Sequence, residues 1–291
     1  MKLKIATCQF PIDGNVERNR DYVLRQMTAS KKCGAVVVHF PETALSGYAS
    51  LEFGSFRGYD WDLLDACTQQ IMDHARKLKV WVILGSSHRL TGRHKPHNSV
   101  YVINDRGRII DRYDKMFCTG DRRGLSGDLK NYSPGDHFCV FTIRGIRCGV
   151  LICHDFRYDE LVREYKRRGV QLLLFSYHNG HTTKAHLRKF SNIHAIAVPA
   201  TMQAYAANNN MWISANNTSA RESQWPSFFV RPDGNITGRL RRNVAGILYT
   251  TVDTRAKLYD ASADWRDRAL AGIYHSGKLV RDKRSTCRTK Y

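Results

Sequence analysis

Three side chains far apart in number add up to one chemistry. Cys153 ends the apolar run 150–152 and precedes residues 158–168, where Leu161, Val162 and Tyr165 recur at helical spacing among charges. The thiol is thus predicted at a strand-to-helix turn, facing the first N–H groups of a helix. Such a position favours a thiolate and can hold an oxyanion. Glu42 follows the compact apolar run 35–40, and Lys115 follows the strand ending Asp111-Arg112-Tyr113-Asp114. A carboxylate beside a thiol can take its proton, and a nearby ammonium favours the thiolate and binds a developing oxyanion. Sites in open α/β sheets collect beyond the carboxyl ends of strands, so the three can converge. Each residue also has a plainer reading. Cysteines are often small buried apolar residues, Pro41-Glu42 can simply begin a loop, and most lysines are exposed.

The elements that would position them alternate along the chain. Residues 2–10 read as a strand and 15–32 as a helix with Val23, Leu24 and Met27 on one face. Strand 35–40 leads through a Gly- and Ser-rich loop, 43–60, into helix 61–78 and the buried strand 80–85. Strands 98–103 and 108–113 flank the turn Asn104-Asp105-Arg106-Gly107, and 137–143 pairs with 146–153 around Arg144-Gly145. Then come strand 170–175, a helix over 183–197 stopped by Pro199, and strand 211–215. Strands 228–230 and 236–240 flank Pro232-Asp233-Gly234, and 245–252 is the last. The tail is irregular, with a short helical stretch near Trp265. This order predicts one α/β domain over residues 1–255, with helices layered on mixed sheet. Residues 256–291 read as a basic extension, either an oligomer contact or partly disordered.

Composition narrows the class. The 291 residues are 42% hydrophobic and 25% charged, which is ordinary for a globular enzyme. No run approaches the roughly 18 apolar residues of a membrane span. The start of the chain resembles a first strand rather than a secretory signal. The eight cysteines form no C-x-x-C pair, so neither zinc nor disulfides are expected, and the reading is a cytoplasmic protein with reduced thiols. The formal charge of +20 permits attraction to nucleic acid, acidic lipid or anionic substrates. It is densest at Lys278, Arg281, Lys283, Arg284, Arg288 and Lys290, with no aromatic-interleaved basic motif or Cys/His finger beside it. A solvated basic surface is the favoured reading over a nucleic-acid partner.

Three sequence blocks then carry a resemblance. Phe40-Pro41-Glu42-x-x-Leu45-x-Gly47-Tyr48, Tyr113-x-Lys115 and Gly149-x-x-Ile152-Cys153-x-Asp155-x-Arg157-Tyr158-x-Glu160 resemble the signatures of the nitrilase superfamily of carbon–nitrogen hydrolases, in order and spacing. Tyr132-Ser133-Pro134-Gly135-Asp136 and the pair Asn208 and Asn216 are further echoes. The resemblance implies a single-domain, four-layer α-β-β-α sandwich, homodimers or larger assemblies, and no metal or organic cofactor. It places a Glu–Lys–Cys triad on Glu42, Lys115 and Cys153, with the His154 backbone N–H and Lys115 as oxyanion donors. It implies hydrolysis of a non-peptide C–N bond through a Cys153 thioester. The Cys-x-Asp-x-Arg-aromatic-x-Glu form is similar to the amidase and omega-amidase-like branches, which favours a small amide or carbamoyl compound over a nitrile.

The pattern departs from the family in places. Asp128 stands where many relatives carry an accessory glutamate, and it either serves in that role or has lost it. Gln203-Ala204-Tyr205-Ala206-Ala207-Asn208 degrades a common motif, which would alter a pocket wall or a dimer contact. Tyr48, Asp128, Arg157, Tyr177 and His178 are the expected substrate contacts. Arg157 could grip a substrate carboxylate bidentately or be tied up internally by Glu160 or Asp155. Acyl transfer on the same site, and a non-catalytic basic scaffold that holds nucleic acid, are the alternatives.

Overall fold

In the computed structural model, which describes residues 1–289, two six-stranded sheets lie face to face between two helical layers. Lys290 of the basic cluster lies outside the described residues. The first sheet holds β1 (Lys2–Gln9), β2 (Val37–His39), β3 (Trp81–His88), β4 (His97–Ile103), β5 (Ile109–Asp114) and β12 (Gly246–Asp253), in the order β12-β1-β2-β3-β4-β5. The second holds β6 (Val140–Ile143), β7 (Ile146–Ile152), β8 (Leu172–Ser176), β9 (Trp212–Asn216), β10 (Phe228–Val230) and β11 (Ile236–Arg239), in the order β11-β10-β9-β8-β7-β6. Strands β1, β2 and β3 are parallel, as are β7, β8 and β9. The expected α-β-β-α sandwich is the observed one.

Period-two burial explains the layering. In β2 and β3, Val37 and Ile83 face the second sheet, while Val38 and Val82 face the helices. The outer helices on that side are α1 (Val16–Lys32) and α2 (Trp61–Leu78). They bury Val23 and Met27, and Leu64, Cys67 and Ile71, against the sheet. Asn15 and Asp60 cap them by accepting the Arg18 and Leu63 N–H groups, each at 2.9 Å. Lys79 ends α2 in a left-handed conformation, φ 54°. On the opposite face, α3 (Asp159–Arg167) and α5 (His194–Asn209) cover the second sheet with Leu161, Val162, Tyr165, Val198 and Met202.

One difference from the sequence reading stands out. The helix expected over 183–197 is two helices, α4 (Lys184–Lys189) and α5, broken where Ser191 and Asn192 take positive φ. Pro199 does not stop α5 but lies inside it, near the N-terminal end, where the missing N–H costs one helical bond. The degraded segment 203–208 is therefore helical. The tail is also docked over part of its length. Arg266, inside α6 (Arg266–Leu270), is buried, donates to the Asn208 carbonyl at 3.0 Å and pairs with Asp260. Arg167 donates to the Leu270 carbonyl at 2.9 Å. Among the described residues, no helix is long and apolar enough to cross a membrane.

Candidate active site

Glu42 and Lys115 reach one edge of the sheet through its topology. The β4–β5 hairpin reverses the chain twice, so β5 runs parallel to β2 and β3 and delivers its carboxyl end beside theirs. Two glycines permit the approach. A Cβ on Gly85 would lie 2.0 Å from the Pro41 carbonyl oxygen, so only glycine lets the Pro41–Glu42 turn rest on β3. A Cβ on Gly135 would lie 2.5 Å from the Asp114 Cβ, and the Gly135 N–H donates to the Lys115 carbonyl at 3.0 Å. The Ser-Pro-Gly-Asp block thus backs the lysine.

Lys115 is fully buried between two carboxylates. Its Nζ lies 2.8 Å from Glu42 Oε1 and 2.8 Å from Asp128 Oδ2. Burial alone would lower its pKa, but Glu42, Tyr48 and Asp128 outweigh that and hold the ammonium well above its ordinary value. Asp128 also accepts from the Tyr48 hydroxyl and, at 3.0 Å, from the Thr119 N–H. Lys115 holds it below the ordinary carboxyl range against the opposing effect of burial. Asn98, which the sequence reading passes over, donates to Glu42 Oε1 at 2.7 Å, and its carbonyl accepts the Lys115 N–H at 2.9 Å. Glu42 Oε1 is therefore doubly occupied, while Glu42 Oε2 is buried with no partner.

Cys153 comes from the other sheet. It follows β7 at the start of a 3-10 turn, Cys153–Arg157, with φ 42°, a left-handed conformation that is costly for a residue bearing Cβ. Cys153 as a whole is half-buried at the rim. Burial raises its pKa, the Glu42 charge raises it further, and Lys115 opposes both, so the resting group is a thiol. The Asn179 amide lies 3.9 Å from its sulfur. His154 is the second residue of the same turn, with its ring edge-on to Tyr158 at 5.8 Å. Burial and then Lys115 lower its pKa, which favours a neutral imidazole.

Asp155 joins the two halves. Its carboxylate accepts from the Tyr113 hydroxyl at 2.8 Å, the Phe117 N–H at 2.8 Å and the Ile152 N–H at 3.0 Å. The segment around Lys115 is thus tied to the turn that carries Cys153. Burial pushes this carboxyl up to about 6 despite the three donors. The signal was in the sequence, as the aspartate of Cys-x-Asp, but its partners are distant in number.

The expected substrate contacts divide. Tyr48 and Asp128 join the buried network, with the Tyr48 ring 5.9 Å from Lys115 Nζ. Tyr177 does not face the site. Its hydroxyl meets Met202 Sδ at 3.3 Å and its ring packs edge-on against Trp225 at 4.7 Å, both in the core. The strand ending at Ser176 sends the next side chain inward, and only the Tyr177 carbonyl serves the site, accepting the Glu42 N–H at 3.3 Å. His178 precedes Asn179, whose amide reaches the Cys153 sulfur, but its own imidazole turns to Glu52, at 2.7 Å. Glu52 outweighs burial and raises its pKa. Arg157 is exposed, with its guanidinium 4.5 Å over Phe156, and makes no ion pair with Glu160 or Asp155.

Comparison with known proteins bears on the family and the fold. A family model for carbon–nitrogen hydrolases matches residues 4–259. Omega-amidase NIT2 of Homo sapiens is 28% identical over 227 residues, covering 76% of this chain and 78% of that protein. Nitrilase homolog 2 of Dictyostelium discoideum is 24% identical over 59% of this chain, and the match spans 53% of that relative's length. Among solved structures, an amidase from Nesterenkonia sp. superposes with a TM-score of 0.73 at 20% identity, over 93% of this chain and 95% of that one. A variant of the Nesterenkonia sp. AN1 amidase shows covalent addition of the acetamide moiety of fluoroacetamide at the active site cysteine. It has a TM-score of 0.71 at 19% identity, over 86% of this chain and 90% of that one. The family match spans both sheets and all the residues assembled above, and the chain belongs to the carbon–nitrogen hydrolase family.

Proposed function

We propose that this protein is an amidase that cleaves a small linear amide or carbamoyl compound through a thioester on Cys153. The observation that carries the reading is the buried Lys115 ammonium, held 2.8 Å from both Glu42 and Asp128 at the edge where Cys153 emerges. An ammonium has three donors, and two are committed to carboxylates, so one remains for a substrate oxygen.

The charges decide which group moves the proton. Lys115 is locked in its charged form by two anions and makes a poor proton donor. Glu42 has one oxygen filled by Lys115 and Asn98 and the other free. Glu42 therefore takes the Cys153 proton as sulfur attacks the amide carbon. The new S–C bond pushes the carbonyl electrons onto oxygen, which Lys115 and the His154 backbone N–H hold. The C–N bond then breaks, the leaving nitrogen takes the proton from Glu42, and a thioester remains. Water attacks that ester while Glu42 takes its proton. Collapse expels the Cys153 sulfur, which regains the proton, and the acid leaves. Asp128 and Asn98 act by holding Lys115 and Glu42 in place.

Ammonia release from a panel of short amides, abolished in Cys153→Ala, tests the reading, together with mass spectrometry of an acyl adduct on Cys153. No turnover on any amide or carbamoyl compound, with Cys153 slow to alkylate, would overturn it. We also place the protein in the cytoplasm as a homodimer or larger assembly. The free thiols of Cys8, Cys33, Cys67, Cys118, Cys139, Cys148 and Cys153 and the exposed Phe190, Ile193 and Ile196 at the α4–α5 junction support this. Sedimentation of the intact chain tests the assembly.

A further inference from the structure

Beside the amidase network, one carboxylate oxygen gathers two imidazoles. Glu52, on the loop between β2 and α2, has Oε1 2.7 Å from His178 Nε2 and 3.0 Å from His181 Nε2. Both histidines follow β8 on the opposite sheet. The Glu52 and His178 side chains are 2% and 0% exposed, and His181 is 36% exposed. Both ring nitrogens of His178 and Glu52 Oε1 are buried without a hydrogen bond, because the close approaches do not lie along an N–H direction. Such orphaned atoms require an explanation. Glu52 Oε2 is fixed separately, accepting the Tyr48 N–H at 2.8 Å. The two rings are nearly parallel, 19° apart with centroids at 6.1 Å.

A ligand atom from each of the three residues lies within 4.8 Å of the other two. A tetrahedral ion that binds imidazole nitrogen and carboxylate oxygen at about 2.0–2.2 Å keeps those atoms about 3.3 Å apart. The observed 2.7 and 3.0 Å need only a slight outward movement to admit one. Two imidazoles and one carboxylate suit a borderline ion such as Zn2+, whereas Mg2+ and Ca2+ prefer all-oxygen shells. We propose that Glu52, His178 and His181 form a binding site for a Zn2+-class divalent ion, with a fourth position open beside the exposed His181. The ion takes no part in amide cleavage. It pins the two sheets together near the nucleophile, because the next residue after His178, Asn179, has its amide 3.9 Å from the Cys153 sulfur.

The test uses the full chain, stripped with chelator and titrated with Co2+, then loaded with Zn2+ and desalted for elemental analysis. Saturable visible bands and one retained Zn2+ per chain are expected. His181→Ala, a change at an exposed position, should weaken the affinity by more than about tenfold, and Glu52→Gln should remove binding. Absence of saturable bands, or equal affinity in His181→Ala, overturns the site. Bands lost instead in Cys33→Ser or Cys287→Ser and kept in His181→Ala assign the ion to surface thiols, which also overturns it. These readouts do not depend on turnover, so they stand apart from the amidase reading.

Discussion

Two buried polar regions lie a few residues apart, and they are built on opposite principles. Between the sheets, His39 Nδ1 meets Ser214 Oγ at 2.9 Å and Nε2 meets Ser176 Oγ at 3.0 Å, with Thr7 bonded to Ser214 at 2.8 Å. Every partner is neutral, and burial holds the imidazole down at about 3. At the rim, Lys115 stands between Glu42 and Asp128, which leaves a net negative cluster and an unpartnered Glu42 Oε2. The seam closes all its valences and fixes the two sheets. The rim leaves a carboxylate oxygen and an ammonium donor open, and those are the groups the proposed reaction would use. Incomplete bonding in a dry place is a cost that a structural seam avoids and an active site requires.

The largest effect that separates the regions is expected from Lys115→Met. It strands two buried carboxylates and should lose about 3–5 kcal/mol of stability, along with measurable turnover. Urea unfolding with an amide assay checks both. Lys115→Met combined with Asp128→Asn should recover part of the stability and none of the activity. Recovery of activity would show that the ammonium is structural.

The seam should answer to pH instead. His39 titrates at about 3 when folded against an ordinary 6.5, so the unfolded chain takes up the proton first as pH falls. This part of the stability is complete above pH 6.5 and should fall by about 1.4 kcal/mol per pH unit below it. His39→Asn should flatten that slope between pH 6.5 and 4 in unfolding titrations, with the KM for an amide unchanged. A slope equal to wild type would deny His39 its neutral role.

The smallest effect sharpens the rim. The Glu42 charge raises the Cys153 thiol and Lys115 lowers it, so Glu42→Gln should let Cys153 alkylate at lower pH even as amide turnover disappears. An alkylation profile shifted upward would mean that the Glu42 charge does not hold the thiol up.

Much of this was legible in the chain. The span of α2 follows from its apolar period, to which the structure adds the Asp60 cap and the left-handed turn at Lys79. The strand ends that carry Glu42, Lys115 and Cys153 follow from short apolar runs and turn residues. What escaped was direction and long-range partnership. Tyr177 reads as a pocket residue by its position after a strand, but its ring goes to Trp225. Asn98 sits at the start of an alternating strand, and nothing local marks its bond to Glu42. Asp155 reads as a partner for Arg157, yet it serves Tyr113, Phe117 and Ile152. Pro199 reads as a stop because local rules do not see the packing of Val198 and Met202 that carries α5 through it.

The delivery of Glu42 and Lys115 by one sheet and Cys153 by the other has a mechanical consequence. The sulfur and the carboxylate proposed to take its proton share no continuous backbone hydrogen-bond ladder, so their alignment reports how the halves of the molecule are seated. A slip of one half over the other would silence the enzyme while each ladder stayed intact, making catalysis a finer gauge of seating than any measure of secondary structure.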